Sequence, residues 1–215
     1  MKVSQAKENI FKKIRQALTN STPLPFPQSE GNNTVFQVSQ QELEIEFAEK
    51  FTTLLGKFIF CVNHEELASQ LNALADHNNF KNIFCREEKL KSVLSKNNYS
   101  NFSATDLAEC DAAITSCELL IARTGSIVMS SAQASGRTVS VYAPIHICIA
   151  YTNQLVYDIK DGLSLLKEKF QNNLPSLITF ATGPSRTADI EKSLVVGVHG
   201  PKEVYVFLVD ENRAV

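Results

Sequence analysis

The chain has 215 residues, a length that suits one globular domain with a substantial core. With a formal net charge of -2 and 20% charged residues, the composition gives no basic excess and argues against nucleic-acid binding. The five cysteines are odd in number and form no Cys-x-x-Cys pair. This spacing argues against a disulfide framework, a zinc site or an iron-sulfur cluster on this chain, and it favours cysteines packed in the core.

The first residues are predicted to form a helical appendage. Apolar residues recur every fourth position from Ile10 to Leu18, and the proline-rich stretch 22–27 cannot continue a helix. We therefore expect residues 1–27 to form a helix with a stiff linker and residues 40–211 to form the main α/β domain. The apolar stripe favours packing of the helix on its own domain or on a second copy of the chain. Packing on a second copy would make the protein a homo-oligomer. Docking on another partner is the second alternative.

Two features bear on the cellular compartment. The basic start of the chain lacks the uninterrupted apolar core of a secretory signal. The sequence also has no apolar run of about 18 residues, the length that a membrane-spanning helix requires. We therefore expect a cytoplasmic protein without a transmembrane segment.

The first half of the main domain alternates helices with short apolar strands. Periodic apolar residues predict helices around 43–54 and 67–74, and continuous apolar runs predict buried strands at 58–62 and 82–85. Such alternation is typical of a mostly parallel sheet that is covered by helices on both faces.

The middle of the chain has strands that follow one another without room for helices. Apolar runs close enough to form hairpins predict strands at 112–115, 119–122, 126–130, 138–142 and 147–150. A helix is predicted from Ile159 to Phe170, with later strands at 177–181 and 204–209. The predicted fold class is therefore α/β, with a mixed, mostly parallel central sheet, helices on both faces and an N-terminal helical appendage.

The loop 183–191 is the most distinctive polar segment of the chain. It follows an apolar strand, and ligands of open α/β sheets bind just beyond the carboxyl ends of strands. Ile190 and Leu194 stand at helical spacing, which predicts a helix after the loop. Asp189 and Glu191 would lie near the positive end of that helix.

Residue types within this loop suit a small anion. Gly183 permits a tight turn, Ser185 and Thr187 offer hydroxyl groups, and Arg186 offers a planar fork of donors for a carboxylate or phosphate. The alternative is a structural turn with helix-capping residues and an arginine that is paired internally.

Two histidines and two turns extend this candidate surface. His199, within residues 197–201, either contacts a ligand or belongs to an ordinary surface turn. His146 precedes an apolar strand and is either a hydrogen-bonded core residue or a polar group that faces a pocket. The turns 123–126 and 135–138 combine hydroxyl groups, a glycine and an arginine, as anion-binding turns and ordinary hairpins both do.

Several short motifs occur in a fixed order: Thr124-Gly125-Ser126, Gly136-Arg137, Pro144-Ile145-His146, residues 182–191 and Val198-His199-Gly200-Pro201. In this order and at these separations they closely resemble the lactate utilization protein C family. The resemblance implies a LUD (lactate utilization) domain whose fold is similar to that of the sugar-phosphate isomerase and CoA-transferase group. The residues predicted to bind a ligand are Thr124, Gly125, Ser126, Arg137, His146, Gly183, Ser185, Arg186, Thr187, Asp189, Glu191, His199 and Gly200. No metal site is predicted, and no catalytic residue is assigned.

The resemblance also implies partners. Members of the family act with two other proteins, at least one of which carries iron-sulfur clusters, to oxidise L-lactate to pyruvate. We therefore expect no cofactor on this chain, iron-sulfur clusters on partner subunits and a small anionic ligand. One position departs from the family pattern, because Arg123 stands where a glutamate usually precedes Thr-Gly. Arginine can bind an anion but cannot act as a base or nucleophile, so any catalytic step that used the glutamate would be lost here.

Two functions follow from these expectations. The first is a subunit of a lactate-utilization system that works with iron-sulfur proteins. The alternative is a stand-alone enzyme or sensor that acts on a phosphorylated or carboxylated small metabolite, since one anion pocket serves binding and catalysis alike. The nucleotide-binding patterns Gly-x-Gly-x-x-Gly and Gly-x-x-x-x-Gly-Lys are absent from the sequence. Whether the chain is an enzyme stays open.

Overall fold

The computed structural model describes residues 5–19, 39, 41–187 and 195–210. The helices within these stretches are α1 (Gln5–Thr19), α2 (Leu43–Thr53), α3 (His64–His77), α4 (Glu88–Lys96), α5 (Val139–Tyr142) and α6 (Ile159–Lys169). The strands are β1 (Lys57–Cys61), β2 (Ile83–Cys85), β3 (Ala112–Ser116), β4 (Leu119–Ile121), β5 (Ser126–Ser130), β6 (Ile145–Tyr151), β7 (Leu155–Val156), β8 (Ile178–Ala181), β9 (Arg186–Thr187), β10 (Val195–Val196) and β11 (Glu203–Val209). None of the described helices is long and apolar enough to cross a membrane.

Two units make up the chain, Met1–Gln37 and Val38–Val215. In the first unit, α1 confirms the predicted N-terminal helix. Its apolar residues Ile10 and Ile14 are about half exposed, at 58% and 47%. The predicted proline-rich linker lies outside the described residues, so the domain boundaries at 27 and 40 stay a prediction.

Five parallel strands form the central sheet, in the order β1-β11-β6-β3-β2. β11, the last strand among the described residues, lies between β1 and β6, with Val206 opposite both Phe58 and Cys148. Residues 204–209 are all buried, because a central strand has neighbours on both edges and cover on both faces. The predicted fold class is confirmed.

A second sheet has four strands, in the order β7-β4-β5-β8. β5 runs antiparallel to β4 and to β8, whereas β7 runs parallel to β4. β9 and β10 form a separate antiparallel pair, in which Arg186 lies opposite Val196. The strands of the middle segment therefore divide between two sheets, where the sequence pattern predicts one mixed sheet.

α3 and α4 cover one face of the central sheet. Leu67 and Leu71 of α3 and Leu94 of α4 are buried in one cluster with the strand residues Ile114 and Ile149. Side chains alternate between the two faces of a strand, so the neighbouring residues of these strands point toward the opposite layer.

That opposite layer contains α2 and the inner face of the second sheet. Phe47 and Phe51 of α2 are fully buried in a cluster with Ile127 and Val206. Burying one such side chain contributes about 1.5–3 kcal/mol. α6 covers the outer face of the second sheet, where Leu166 is buried. The order of layers is therefore helices, central sheet, second sheet with α2, and α6.

The predicted strand at 138–142 is wrong, because residues 139–142 form the short helix α5. Alternating β-branched residues favour a strand locally. Val139 and Ala143 nevertheless stand four positions apart, on one side of a helical turn, and both are buried in a cluster with Ala113 of β3. Packing on the central sheet overrides the local preference.

Smaller differences concern the edges of the domain. α4 has no counterpart among the predicted elements, although Leu90 and Leu94 are spaced as in an amphipathic helix. The strand predicted as buried at 58–62 is an edge strand, and its Phe60 is 44% exposed. The five cysteines are all buried, as the core interpretation predicts.

Candidate functional site

The first part of the predicted segment 182–191, residues 182–185, lies against the predicted segment 197–201. The Ser185 amide donates a hydrogen bond to the Pro201 carbonyl at 2.9 Å, and the Gly197 amide donates to the Ser185 carbonyl at 2.9 Å. The main chains of two segments that are distant in sequence are thus joined by two hydrogen bonds. The structure brings together Gly183, Ser185, His199 and Gly200, as the sequence predicts.

Gly200 is required at this junction by space rather than by backbone conformation. A β-carbon at position 200 would lie 2.9 Å from the Ser185 β-carbon, a distance that real side chains do not tolerate. Only a residue without a side chain lets the segments approach so closely.

A cavity of about 370 Å³ opens where these segments meet. Among the residues that line it, the polar side chains are two imidazoles and four hydroxyl groups: His146, His199, Ser140, Thr179, Thr182 and Ser185. None of its described lining residues is aspartate or glutamate. We call this cavity the histidine cleft.

The histidine cleft lies at the amino ends of two central strands. His146 is the second residue of β6, and Val204, which also lines the cleft, is the second residue of β11. Segment 182–185 follows the carboxyl end of β8, but β8 belongs to the second sheet. The loop thus follows the carboxyl end of a strand, as expected, but that strand is not part of the central parallel sheet.

His146 is a hydrogen-bonded core residue and also lines the cleft, so both interpretations of this position apply. It is only 1% exposed, and its Nε2 atom lies 2.8 Å from the Thr115 hydroxyl oxygen. Burial away from water lowers the pKa of His146 to about 4. The ring is therefore neutral at physiological pH and adds no positive charge to the cleft.

A chain of hydroxyl groups links the predicted turn at 124–126 to the cleft. The Thr124 and Ser126 hydroxyl oxygens are 2.7 Å apart, and the Ser126 and Thr182 hydroxyl oxygens are 2.9 Å apart. Thr182 lines the cleft, whereas Ser126 is 3% exposed and lies behind it. The turn is therefore connected to the cleft lining through Thr182.

Gly125 and Gly183 allow the turn at 124–126 and segment 182–185 to pack closely against the end of α2. Both have left-handed backbones, with φ of 60° and 83°, a conformation that costs side-chain-bearing residues about 1–2 kcal/mol. A β-carbon at Gly125 would lie 2.6 Å from the Phe51 amide nitrogen, and one at Gly183 would collide with the Leu54 carbonyl oxygen. These glycines are explained by close packing on the end of α2.

The predicted arginines lie away from the cleft lining. Arg137 is exposed and donates a hydrogen bond to the Ser176 hydroxyl group. Arg186 is exposed on β9 and is not among the described residues that line the histidine cleft. Their role as ligand-binding residues stays a prediction.

Arg123, which is predicted to stand where the family usually has a glutamate, forms an ion pair. Its Nε atom lies 2.8 Å from Oδ2 of Asp158, the N-terminal capping residue of α6. Partial burial raises the pKa of Asp158, but the Lys160 amide and the Arg123 guanidinium outweigh it and hold the pKa below its ordinary value. Arg123 is thus paired with a carboxylate of the protein itself, that of Asp158.

The remaining predicted residues lie partly or wholly outside the described structure. Asp189 and Glu191 lie outside the described residues, as does the predicted helix with Ile190 and Leu194. Thr187 ends β9, and its side chain is not among those described.

Four polar residues near the cleft were not predicted: Thr115, Ser140, Thr179 and Lys202. Thr115 and Thr179 lie inside apolar strands, where a threonine is unremarkable because it suits β-structure. Only the pairing of β3 with β6 brings Thr115 next to His146. No local signal in the sequence could have identified these positions.

A larger groove, of about 740 Å³, has the opposite charge. Its lining includes the carboxylates of Glu42, Glu44, Glu49 and Asp210 and no described lysine or arginine. Carboxylates in a groove repel an anionic ligand. Of these two cavities, the histidine cleft is therefore the one suited to an anion.

Fold and cleft together define an α/β protein with a parallel central sheet, a second sheet and an anion-compatible cleft lined by histidines. Residues 94–209, more than half of the 215-residue chain, match the family model described as LUD domain. The chain belongs to the LUD domain family.

Curated relatives carry the name "Lactate utilization protein C". The protein of Bacillus licheniformis is 37% identical over 100 residues, which cover 45% of this chain and 42% of that protein. The protein of Anoxybacillus flavithermus is 28% identical over 218 residues, which cover 94% of this chain and 97% of that protein. The match at 37% identity therefore spans less than half of the Bacillus protein. The match at 28% identity spans nearly the whole of this chain and of the Anoxybacillus protein.

A solved structure shares the fold. The crystal structure of a DUF162 family protein from Deinococcus radiodurans superposes with a TM-score of 0.59 at 19% sequence identity. The match covers 80% of this chain and 99% of that chain. At this level of identity the likeness concerns the fold alone.

Proposed function

We propose that this chain is a subunit of a lactate-utilization system and that it binds a small carboxylate in the histidine cleft. The observation that carries the proposal is the junction of segments 182–185 and 197–201 over His146. The name of the relatives supports the physiological setting, and the chemistry of the cleft supports the class of ligand.

The cleft offers hydrogen bonds without competing negative charge. Hydroxyl groups of Thr182 and Ser185 can donate to carboxylate oxygens. The exposed imidazole of His199 can donate a hydrogen bond and exchange a proton with a bound hydroxy acid. The buried, neutral ring of His146 lines the cleft, where a permanent charge would be costly.

In this proposal the redox centres belong to partner proteins. Oxidation of L-lactate to pyruvate removes two electrons and two protons, and iron-sulfur partners would take up the electrons in the cytoplasm. This chain would hold the carboxylate, His199 would accept the proton of the hydroxyl group, and the hydrogen lost from the carbon would leave as a second proton to solvent once its electrons have passed to the partners. Ion pairing of Arg123 with Asp158 fits a binding role, because position 123 supplies no carboxylate for a base or nucleophile.

Calorimetric titration of the purified chain with L-lactate, pyruvate and inorganic phosphate tests the binding step. We expect His199→Ala to weaken binding of the carboxylates by about tenfold, the loss typical of one hydrogen bond to a charged group. His77→Ala is the matched control, because His77 is also an exposed histidine and lies on α3, outside the cleft lining. Absence of carboxylate binding by the wild-type chain, or equal affinities of wild type and His199→Ala, would contradict the proposal.

The same titration separates the alternative of a stand-alone enzyme or sensor. A cleft that prefers inorganic phosphate to both carboxylates would favour a phosphorylated metabolite. Arg186→Ala should be titrated in parallel. Arg186 follows Ser185 in the sequence, is exposed, and is predicted to bind the anion through its guanidinium group. Unchanged affinity in that variant would remove Arg186 from the site.

A further inference from the structure

The histidine cleft adjoins a second, outer groove of about 450 Å³. Val141, His199 and Gly200 line both cavities, so the two meet at these residues. The outer groove adds Tyr142, Val198 and Lys202 to the lining.

The outer groove presents apolar surface to solvent. Tyr142 is 72% exposed, Val198 is 50% exposed and Val141 is 40% exposed. The short helix α5 explains the first and last of these, because burial of Val139 against the sheet turns the following residues outward. Large apolar side chains that are exposed together beside a polar cleft mark a binding surface. A tyrosine ring adds a large contact area at a low cost in conformational entropy.

The outer groove carries positive charge, which is the sign that an anion site requires. Lys202 supplies an ammonium group, and no described lining residue of this groove is acidic. The amide of Lys202 donates a hydrogen bond to the Pro144 carbonyl at 2.8 Å, which fixes the groove floor. A β-carbon at Gly197 would collide with the Lys202 side chain, so the glycine leaves the space that this side chain occupies.

The combined space exceeds what lactate or pyruvate can fill. The inner cavity alone, at about 370 Å³, has room for on the order of ten water molecules at roughly 30 Å³ each. A three-carbon acid displaces only a few of them. A larger ligand would cover the apolar side chains of the outer groove and gain from their burial.

We infer that the ligand is an organic acid with an aromatic or similarly bulky apolar group. Its carboxylate lies in the histidine cleft, and its apolar group lies against Tyr142 in the outer groove. The inference rests on the proposed function, because it takes carboxylate binding by the cleft as given, and it names the class of acid.

L-lactate and L-3-phenyllactate test the inference directly, since they share the carboxylate and the hydroxyl group and differ by a phenyl ring. We expect wild type to bind L-3-phenyllactate about tenfold more tightly than L-lactate, measured by calorimetry. In Tyr142→Ser the ratio of the two affinities should fall to near one. In Tyr142→Phe the ratio should persist, because the ring and not the hydroxyl group makes the contact.

A control variant is Leu165→Ser, which removes another exposed apolar side chain, at 43%, from α6. It should leave the tenfold ratio unchanged, because Leu165 lines neither cavity, and far-ultraviolet circular dichroism should show that all variants are folded. Equal affinities of wild type for the two acids, or a ratio that survives in Tyr142→Ser, would overturn the inference and leave the proposed function standing. Binding of neither acid would overturn the proposed function itself.

Discussion

His146 should make the stability of the protein fall as the pH drops from 7 to 5. Burial holds the pKa of His146 at about 4, compared with 6.5 for an ordinary histidine. At pH 7 the ring is neutral in both the folded and the unfolded chain. Between pH 6.5 and pH 4 the unfolded chain binds a proton that the folded chain does not bind, and this difference favours unfolding.

The size of the effect follows from the difference between the two pKa values. At about 1.4 kcal/mol per pH unit, the full loss of unfolding free energy is about 3 kcal/mol, complete near pH 4. Between pH 7 and pH 5 the expected loss is about 2 kcal/mol. This is a large share of the 5–15 kcal/mol that typically separates folded from unfolded domains.

Urea unfolding at pH 7, 6 and 5 measures this loss, with His146→Gln as the comparison. Glutamine keeps a polar group that can reach the Thr115 hydroxyl group but does not titrate. We expect the wild type to lose about 2 kcal/mol more than His146→Gln between pH 7 and pH 5. The surface variant His77→Gln should follow the wild type. Parallel curves for wild type and His146→Gln would refute the argument that this ring is buried in neutral form.

Two further predictions concern backbone space and the ion pair of Arg123. Gly183→Ala should cost about 1–3 kcal/mol more in urea unfolding than Gly136→Ala, because both glycines have left-handed backbones but only position 183 meets a neighbouring carbonyl oxygen. Similar losses in the two variants would show that the end of α2 yields to the added methyl group. Arg123→Glu should be less stable than Arg123→Gln, because it sets a second carboxylate beside Asp158. This difference should shrink in 0.5 M salt, roughly the range in which exposed charges are screened. Equal stabilities at low salt would mean that the pair with Asp158 contributes nothing.

Local patterns were sufficient to predict most of the elements. The apolar run at 204–209 is buried in β11, and the periodic residues from Ile159 to Phe170 mark α6. Where prediction failed, long-range contacts decided the outcome. Residues 138–142 have strand-forming side chains, yet Val139 packs on Ala113 in a short helix. Secondary structure follows local preference only where tertiary packing does not oppose it.

The candidate site divides in the same way. Residue types alone identified the loop 183–191 and the segment 197–201 as polar and glycine-containing, and singled out His146 and His199. Their meeting depends on strand order, because β11 lies beside β6 and so brings segment 197–201 to the amino end of β6. The same order places Thr115 beside His146.

The sequence by itself thus determined the family, the fold class and the kinds of groups available for binding. Tertiary structure decided that the cleft opens at the amino ends of the central strands, that Arg123 pairs with Asp158, and that Tyr142 faces solvent beside the cleft. Chemical character and short-range periodicity are local properties that the sequence shows directly. The neighbours of a side chain depend on contacts between distant segments, and local pattern does not encode them.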